Sequence, residues 1–213
     1  MKNRNLISDE NGAALTVFLL LLIPFLILMM ISRTEINNIL SETDTTLQNA
    51  VSVSTKQAAM MVDIESQSKG DPRISYEKSI AEFKKQLKYS LALDDNFSGL
   101  DYSSVNEVKY WVLIYNGDTL FSGYNNENKV SSYAYYNNQN GIEEEYITNT
   151  ITGFPKDLWI ADDGIKDSEV SNSVKVTLKA PCVLAVVRGE IKPIMTNNAQ
   201  NVTRWALAKI VKK

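Results

Sequence analysis

The sequence predicts an α+β fold in which a long N-terminal transmembrane helix continues into an outer amphipathic helix, followed by a second helix and an antiparallel β-sheet head. Three observations predict this fold. An uncharged apolar run fills residues 12–32. Apolar and small residues spaced by three or four continue beyond it. After Asn106 the chain changes to the β-branched and aromatic composition of strands. Helices that precede a block of strands are typical of α+β domains.

Residues 13–32 are predicted to cross a membrane as one helix. The stretch from Ala13 to Ile31 carries no charge, and at a rise of about 1.5 Å per residue it spans about 28 Å, close to the thickness of the hydrocarbon layer. A buried core helix would keep a polar face, and a cleaved secretory signal would be shorter and end at a small-residue site. Pro24 lies within the span and lacks a backbone donor, so we predict a kink of the membrane helix there.

Basic residues near the span predict its orientation. Lys2 and Arg4 precede it, and Arg33 follows it closely. The excess of positive charge before the span favours a cytoplasmic N-terminus. Residues 1–12 are therefore predicted to be a cytoplasmic leader or tail, and the rest of the chain is expected outside the cytoplasm, anchored in the cell membrane by a single pass.

The segment 33–69 is predicted to be the outer part of the same long helix. No proline or glycine interrupts it before Gly70, and the spacing of its apolar and small residues indicates an amphipathic helix packed against the head. This stripe consists of Ile36, Leu40, Thr43, Leu47, Ala50, Ser54, Ala58 and Met61. A coiled-coil stalk is the alternative, but the small residues of the stripe would make a poor seam.

Residues 70–213 are predicted to form an extracytoplasmic α+β head domain. Gly70-Asp71-Pro72 should end the long helix, and Asp94–Gly99 has the composition of a loop. Between them a second helix is expected, with one apolar face made by Tyr76, Ile80, Phe83, Leu87 and Leu91.

Strand patterns fill the remainder of the head. Val108–Tyr115 is followed at once by Asn116-Gly117, which predicts a hairpin with Thr119–Tyr124. The other predicted strands are Lys129–Tyr136 paired with Ile142–Ile151, then Val174–Leu178, Cys182–Val187 and a last strand with Thr203, Trp205, Leu207 and Val211 on one face. A helix is the alternative for this last stretch.

Composition argues against several classes of function. The net charge of −3 is spread along the chain, so no nucleic-acid surface is predicted. Histidine is absent, which removes the commonest general base and metal ligand, and no phosphate-binding glycine loop is present. Cys182 is the only cysteine, so it forms no internal disulfide, and its thiol offers a point for crosslinking the head to neighbours. We therefore predict no catalytic, cofactor or metal site.

Clusters of acidic and aromatic residues have ordinary structural interpretations. Asp94-Asp95 and Asp162-Asp163 are expected in turns, and the residues around Asp162 lack the spacing of a calcium loop. Glu143–Glu145 is a third acidic run that could serve as an acid/base or calcium site. The tyrosines and asparagines within 124–146 predict exposed strands, with an aromatic contact surface as the alternative.

Three stretches of the chain carry a family resemblance. They are Asn11-Gly12-Ala13-Ala14 leading into a span that contains Pro24, then Thr46–Ala50 followed by Lys56–Ala59, and finally Val174–Leu178 with Ala180-Pro181 and Asn201–Val211. Together they resemble the TadE/TadG-like pseudopilins, minor subunits of the tight-adherence branch of type IV pili. The resemblance lies near the two ends of the chain and does not extend to its middle.

The resemblance implies a pilin-like fold and prepilin-type cleavage between Gly12 and Ala13. It also implies a non-catalytic, membrane-anchored subunit of a bacterial pilus-like or secretion apparatus, with the membrane and other pilin-like or secretion-apparatus subunits as partners. The family usually has a glutamate about five residues past the processed glycine, where this chain has Val17. Because that acid draws a subunit into a growing fibre, its absence implies a tip or initiating subunit, or a relative that does not polymerise.

Two other functions remain open at the level of sequence. The chain could be a single-pass, membrane-tethered extracellular binding module that acts outside a pilus, with a ligand that the sequence does not identify. An anchored hydrolase that uses the scattered carboxylates is the third hypothesis, and a deep cleft with several polar side chains would favour it.

Overall fold

The computed structural model describes residues 10–117, 132–138, 141–146, 153–166, 168–191 and 200–210. The helices are α1 Glu10–Ala59, α2 Ile64–Ser68 and α3 Tyr76–Leu91. The strands are β1 Val105–Tyr115, β2 Ser132–Asn138, β3 Gly141–Tyr146, β4 Lys156–Ala161, β5 Gly164–Lys166, β6 Val174–Leu178, β7 Cys182–Ile191 and β8 Gln200–Lys209. This order of elements confirms the predicted α+β class with a long apolar N-terminal helix. The chain divides into two compact units, Met1–Glu42 and Thr43–Lys213, and we call the second the head unit.

Helix α1 ends at Ala59, so the prediction that it continues to Lys69 is wrong. Val62 forms an isolated antiparallel bridge with Ile74, which turns the chain back on itself. A new helix, α2, then starts behind Asp63, whose carboxylate accepts a hydrogen bond from the backbone N–H of Ser66 at 3.0 Å. Asp63 therefore acts as an N-cap in a stretch whose spacing alone favours an uninterrupted helix.

The predicted stripe on α1 is buried wherever it lies in the head unit. Thr43, Leu47, Ala50, Ser54 and Ala58 are all buried. The predicted face of α3 is buried in the same core, with Ile80, Phe83, Leu87 and Leu91 inside and Tyr76 packed at its border. The two helices thus cover one face of the large sheet, in contact with β-strand residues such as Val108, Tyr110, Val112, Ala185 and Val187.

The large sheet has five antiparallel strands in the order β3-β2-β1-β7-β8. Strand β1 confirms the predicted Val108–Tyr115 strand, but it pairs with β2 and β7. The predicted hairpin between this strand and Thr119–Tyr124 is therefore not the pairing that β1 makes, and Thr119–Tyr124 lies outside the described residues. The second predicted pair is confirmed in shorter form, since β2 and β3 pair with Asn138 opposite Gly141.

A second sheet of three strands, in the order β5-β4-β6, covers the other face of the large sheet. Its strand β6 confirms the predicted Val174–Leu178 strand. Strands β4 and β5 were not predicted. They meet at the Asp162-Asp163 turn, where Gly164 has a φ of +122° and a side chain would collide with the Trp111 ring, 2.7 Å from the Cβ position. The Asp162-Asp163 turn itself is as predicted.

The last predicted segment is a strand and not a helix. Strand β8 pairs with β7 over its whole length, from Lys209 opposite Cys182 to Gln200 opposite Ile191. Thr203, Trp205 and Leu207 lie at alternate positions and so on one face, as predicted. Val211 lies outside the described residues. The sequence allowed either structure because alternation in this stretch is weak. Pairing with β7, in which only Arg188 and Glu190 are not fully buried, decides for the strand.

One buried side chain ties the end of β1 to the turn before α3. The Asn116 amide oxygen accepts from the Ile74 N–H at 2.9 Å, and its amide nitrogen donates to the Ile74 carbonyl at 3.1 Å. Asn116 is buried, so both of these bonds satisfy groups that have no access to water.

Candidate functional site: an apolar helix and a polar cleft

The first part of α1 is the only helix in the described residues that is long and apolar enough to cross a membrane. Most of its large side chains between Leu15 and Ile31 are exposed, from 45% at Leu19 to 71% at Met30. A continuous apolar surface of this kind is unfavourable in water and suits a hydrocarbon environment. These observations support the single-pass membrane helix predicted from sequence.

The hydroxyl groups at the end of this apolar stretch are satisfied within the helix. Ser32 donates to the carbonyl of Leu28 at 2.9 Å, and Thr34 donates to that of Met30 at 3.0 Å. Both bonds run to the carbonyl four residues earlier, so these two hydroxyls are satisfied within α1.

The residues singled out in the membrane segment all lie on α1. Gly12 and Ala13 are in its first turns, and cleavage between them stays a prediction. Pro24 lies inside the helix, which continues past it, and the predicted kink also stays untested. Val17 is 59% exposed, so it presents an isopropyl group at the position where the resembling family usually has an acid.

A polar cleft opens beside the start of β8, in the head unit. It encloses about 350 Å³ and is lined by Asp162, Arg188, Asn201, Val202, Thr203 and Arg204. In the register of β1 and β7, Arg188 lies opposite Lys109, so two cations face each other across neighbouring strands. The cleft holds one carboxylate among several donors. That set fits recognition of an anionic group better than a glycosidase-type acid/base pair, which uses two carboxyl groups.

Arg204 also joins β8 to helix α1. Its guanidinium pairs with the carboxylate of Asp44 at 2.5 Å and donates to the Thr203 carbonyl at 2.8 Å. One turn further along α1, the Gln48 side chain donates to the Trp205 carbonyl at 3.4 Å. This latch, defined as Asp44, Gln48, Arg204 and Trp205, was missed at the level of sequence because its two halves are far apart in the chain.

The predicted acidic clusters have structural roles where the structure describes their side chains. Asp94 accepts from the N–H groups of Asn96 and Ser98 at 2.8 Å, and Asp95 pairs with Lys88 at 2.7 Å. The hydrogen bond from Lys88 holds the pKa of Asp95 below its usual value. Asp163 pairs with Lys166 at 3.0 Å. In the described part of the chain, no group of three or more Cys, Asp and Glu side chains is arranged to hold a metal ion.

A further carboxylate lies on the small sheet. Asp157 accepts from the Thr177 hydroxyl at 2.6 Å and pairs with Lys175 at 2.8 Å across β4 and β6. The hydrogen bonds from Lys175 and Thr177 hold the pKa of Asp157 below its usual range. Such a carboxylate stays ionised at neutral pH and supports the sheet, without the raised pKa of a general acid.

Cys182 is buried, with 1% of its surface exposed. Burial raises the pKa of its thiol to about 12, against a smaller opposing effect of Lys209. A thiol that is both inaccessible and protonated does not react with crosslinkers. The expectation that Cys182 could report neighbours of the head is therefore wrong, because the short apolar run that predicted its strand did not show that both faces of the strand are covered.

The Tyr- and Asn-rich segment 124–146 falls largely outside the described residues. Within it, only the backbones of β2 and β3 are described, and they place Glu143, Glu144 and Glu145 in strand β3 opposite Tyr136, Tyr135 and Ala134. The predicted contact surface in this segment stays a prediction. Comparison with known proteins found no matching family, curated protein or solved structure.

Proposed function

We propose that the chain is a non-catalytic, membrane-anchored subunit of a bacterial pilus-like or secretion apparatus, similar to the TadE/TadG-like pseudopilins. The observation that carries the proposal is the construction of α1. Its first part presents apolar side chains on its surface, and its residues from Thr43 onward provide a buried stripe to an α+β head. A helix that is both an anchor and a wall of the head suits a subunit positioned by its membrane segment.

The buried state of Cys182 makes a topology test possible in the native background. Asn3→Cys and Lys179→Cys each add one thiol, and Lys179 is exposed in the head unit. In intact cells, a membrane-impermeant maleimide should label Lys179→Cys. It should leave Asn3→Cys unlabelled until the membrane is opened, and that variant also carries Gly12→Leu so that cleavage does not remove residue 3. The reverse pattern would contradict the proposed orientation, and labelling of the unmodified chain would contradict the burial of Cys182.

Processing is tested by mass spectrometry of the membrane-extracted chain. A new N-terminus at Ala13 would support prepilin-type cleavage, and Gly12→Leu should block it. An intact peptide from Met1 as the only N-terminal species would rule out cleavage but not anchoring.

Co-purification in mild detergent distinguishes a subunit of an apparatus from a receptor that acts alone. An apparatus subunit should co-purify with other membrane-anchored proteins of its assembly.

The alternative function is a membrane-tethered binding module that acts outside a pilus. The polar cleft beside β8 favours it, because Arg188, Asn201 and Thr203 place three hydrogen-bonding side chains around one open space. If the chain extracts as a single species with no co-purifying membrane proteins, and Arg188→Ala removes binding of an anionic ligand such as a uronate oligosaccharide, this alternative replaces the first proposal.

A further inference from the structure

We propose that copies of this chain join their five-stranded sheets edge to edge, with β8 of one copy pairing with β3 of the next. The occupant of each edge is thus a second copy of the same chain. The inference rests on the proposed function in one respect, namely that all copies are anchored in one membrane with the same orientation.

The two strands are the two ends of one sheet. In the described part of the chain, β3 pairs only with β2 and β8 only with β7, so each has a second edge of backbone N–H and C=O groups. Such edges are templates for pairing with another chain unless proline, a bulge or a short length blocks them. Strand β8 has ten residues, contains no proline and keeps an unbroken register with β7.

The outward-facing backbone groups of β8 can be identified. The N–H of Ile210 donates inward to the Pro181 carbonyl at 3.0 Å, while the Trp205 carbonyl faces outward to the Gln48 side chain. Because partners alternate along an antiparallel strand, Thr203, Trp205, Leu207 and Lys209 direct their backbone groups away from β7. The carbonyls of Thr203 and Trp205 already accept hydrogen bonds from side chains of the latch, so pairing with a new strand would use the carbonyls of Leu207 and Lys209 together with the outward N–H groups.

Charge decides between the possible pairs of edges. Strand β3 reads Gly-Ile-Glu-Glu-Glu-Tyr, with three consecutive glutamates. On the other side, β8 contains Arg204 and Lys209, and Arg188 lies next to it on β7. Asp44 already pairs with Arg204, so the other cations described on this side are Lys209 and, one strand inward, Arg188, which lines the polar cleft together with Asp162. Opposite charges across strands stabilise a pair and like charges destabilise it, so β8 with β3 is favoured over either strand with its own copy.

The direction of the strands fits one membrane orientation. Both β3 and β8 are separated from β1 by one antiparallel neighbour, so they run in the same direction. A copy placed beside the first without being inverted therefore offers its β3 in parallel to β8. Every copy then has Thr43, where the chain enters the head unit, at the same end. Antiparallel pairing of β8 with β8 requires a two-fold rotation that reverses the strand direction of the second head unit.

The test uses two tagged forms of the full chain, co-expressed and oxidised in native membranes. One form carries Thr203→Cys on the outer edge of β8, and the other carries a cysteine at Glu143, Glu144 or Glu145 in turn. We expect a disulfide-linked mixed dimer for at least one position of β3. Ser171→Cys, which is exposed in the turn before β6, replaces Thr203→Cys as the matched control and should give no mixed dimer.

A proline substitution in β8 distinguishes strand pairing between two copies from disulfides that form by random collision. Leu207→Pro removes an outward N–H that makes no bond to β7, whereas Leu207→Ala keeps that N–H. In the Thr203→Cys form, we expect Leu207→Pro to reduce the mixed dimer about tenfold or more and Leu207→Ala to retain it. Protection of Cys182 from maleimide reports that each variant is folded. If both variants are folded and both retain the mixed dimer, edge pairing is excluded.

Other outcomes overturn the inference directly. A dimer of Thr203→Cys with itself would mean a two-fold interface, adducts to a different polypeptide would mean a different occupant, and monomers alone would mean a free edge. Failure of this inference is distinguishable from failure of the proposed function. Absence of the mixed dimer from a chain that stays in the membrane with the expected topology removes only the edge pairing.

Discussion

At the scale of single residues, buried polar groups show how the head unit is held together. Asn116 makes two hydrogen bonds with the backbone of one residue, Ile74, and thereby fixes the α2–α3 connection just before α3. When a side chain that satisfies buried backbone groups is removed, the loss of folding free energy exceeds the net contribution of the hydrogen bond. The reason is that the buried backbone groups are left without partners.

Asn116→Ala is therefore expected to lower the free energy of unfolding by about 1–3 kcal/mol. Thermal denaturation followed by circular dichroism, with the full chain in detergent, measures this as a fall of several degrees in Tm. Asn49→Ala is the matched control, since Asn49 is exposed on α1 and the change also favours a helix. An equal effect of the two substitutions would mean that the Asn116 contacts contribute nothing specific.

Cys182 gives a prediction about pH. Its ordinary pKa of 9.0 is raised by burial to about 12 in the folded chain. Because the folded pKa is higher, the thiol's contribution to stability is complete below pH 9 and falls as pH rises from 9 towards 12. Cys182→Ala should remove this part of the alkaline loss of stability, measured by denaturant unfolding at pH 8, 9 and 10. Identical pH dependence in both chains would show that the thiol is not shielded as described.

At the scale of elements, α1 has two different environments along its length. Its later part provides Leu47, which is fully buried, while Val53 on the opposite side is 44% exposed. Leu47 also limits the space at Gly189, whose Cβ position lies 3.3 Å from the leucine methyl. The stripe is thus a packing surface of the head and not a free stalk.

Leu47→Ala should destabilise the head unit by about 2–5 kcal/mol because it leaves a cavity in a closed core. Val53→Ala, at an exposed position of the same helix, should change stability by less than about 1 kcal/mol. Hydrogen exchange or thermal denaturation in detergent distinguishes the two. Comparable losses would favour the coiled-coil alternative, in which the other face of α1 has a partner.

Several helices and strands could be predicted from the sequence because their apolar residues follow a strong pattern. The uncharged run at the start of α1 and the apolar face of α3 are strong local patterns, and in β6 the alternate residues Val176 and Leu178 are buried. The end of α1 could not be predicted, because Val62 stops the helix by pairing with Ile74, twelve positions further on. Strands β4 and β5 are short, and their pairing depends on Gly164 fitting against Trp111. The polar cleft and the latch combine residues from distant strands, which no local pattern contains.

At the scale of the whole molecule, the apolar part of α1 determines where the chain is found. Replacement of both Leu20 and Leu21 by arginine would place two charges in the span, at a cost of about 2.5–3.5 kcal/mol each for insertion. We expect this variant to be released from membranes by alkaline carbonate while the original chain is retained. Leu20→Ala with Leu21→Ala is the control and should stay in the pellet. Carbonate extraction of the original chain would remove the basis for a membrane anchor.

If the head unit lies outside the cell, as we propose, the helix that it shares with the anchor limits where a protease could release it. A protease that cuts before Thr43 would liberate a fragment with its core intact, and that fragment should survive in the medium. A cut between Thr43 and Ala59 would strip away one wall of the core and expose residues such as Phe83 and Val108 to water. Such a fragment should aggregate and be degraded. Only the short stretch between the end of the span and Thr43 is therefore suitable for release of a stable soluble fragment.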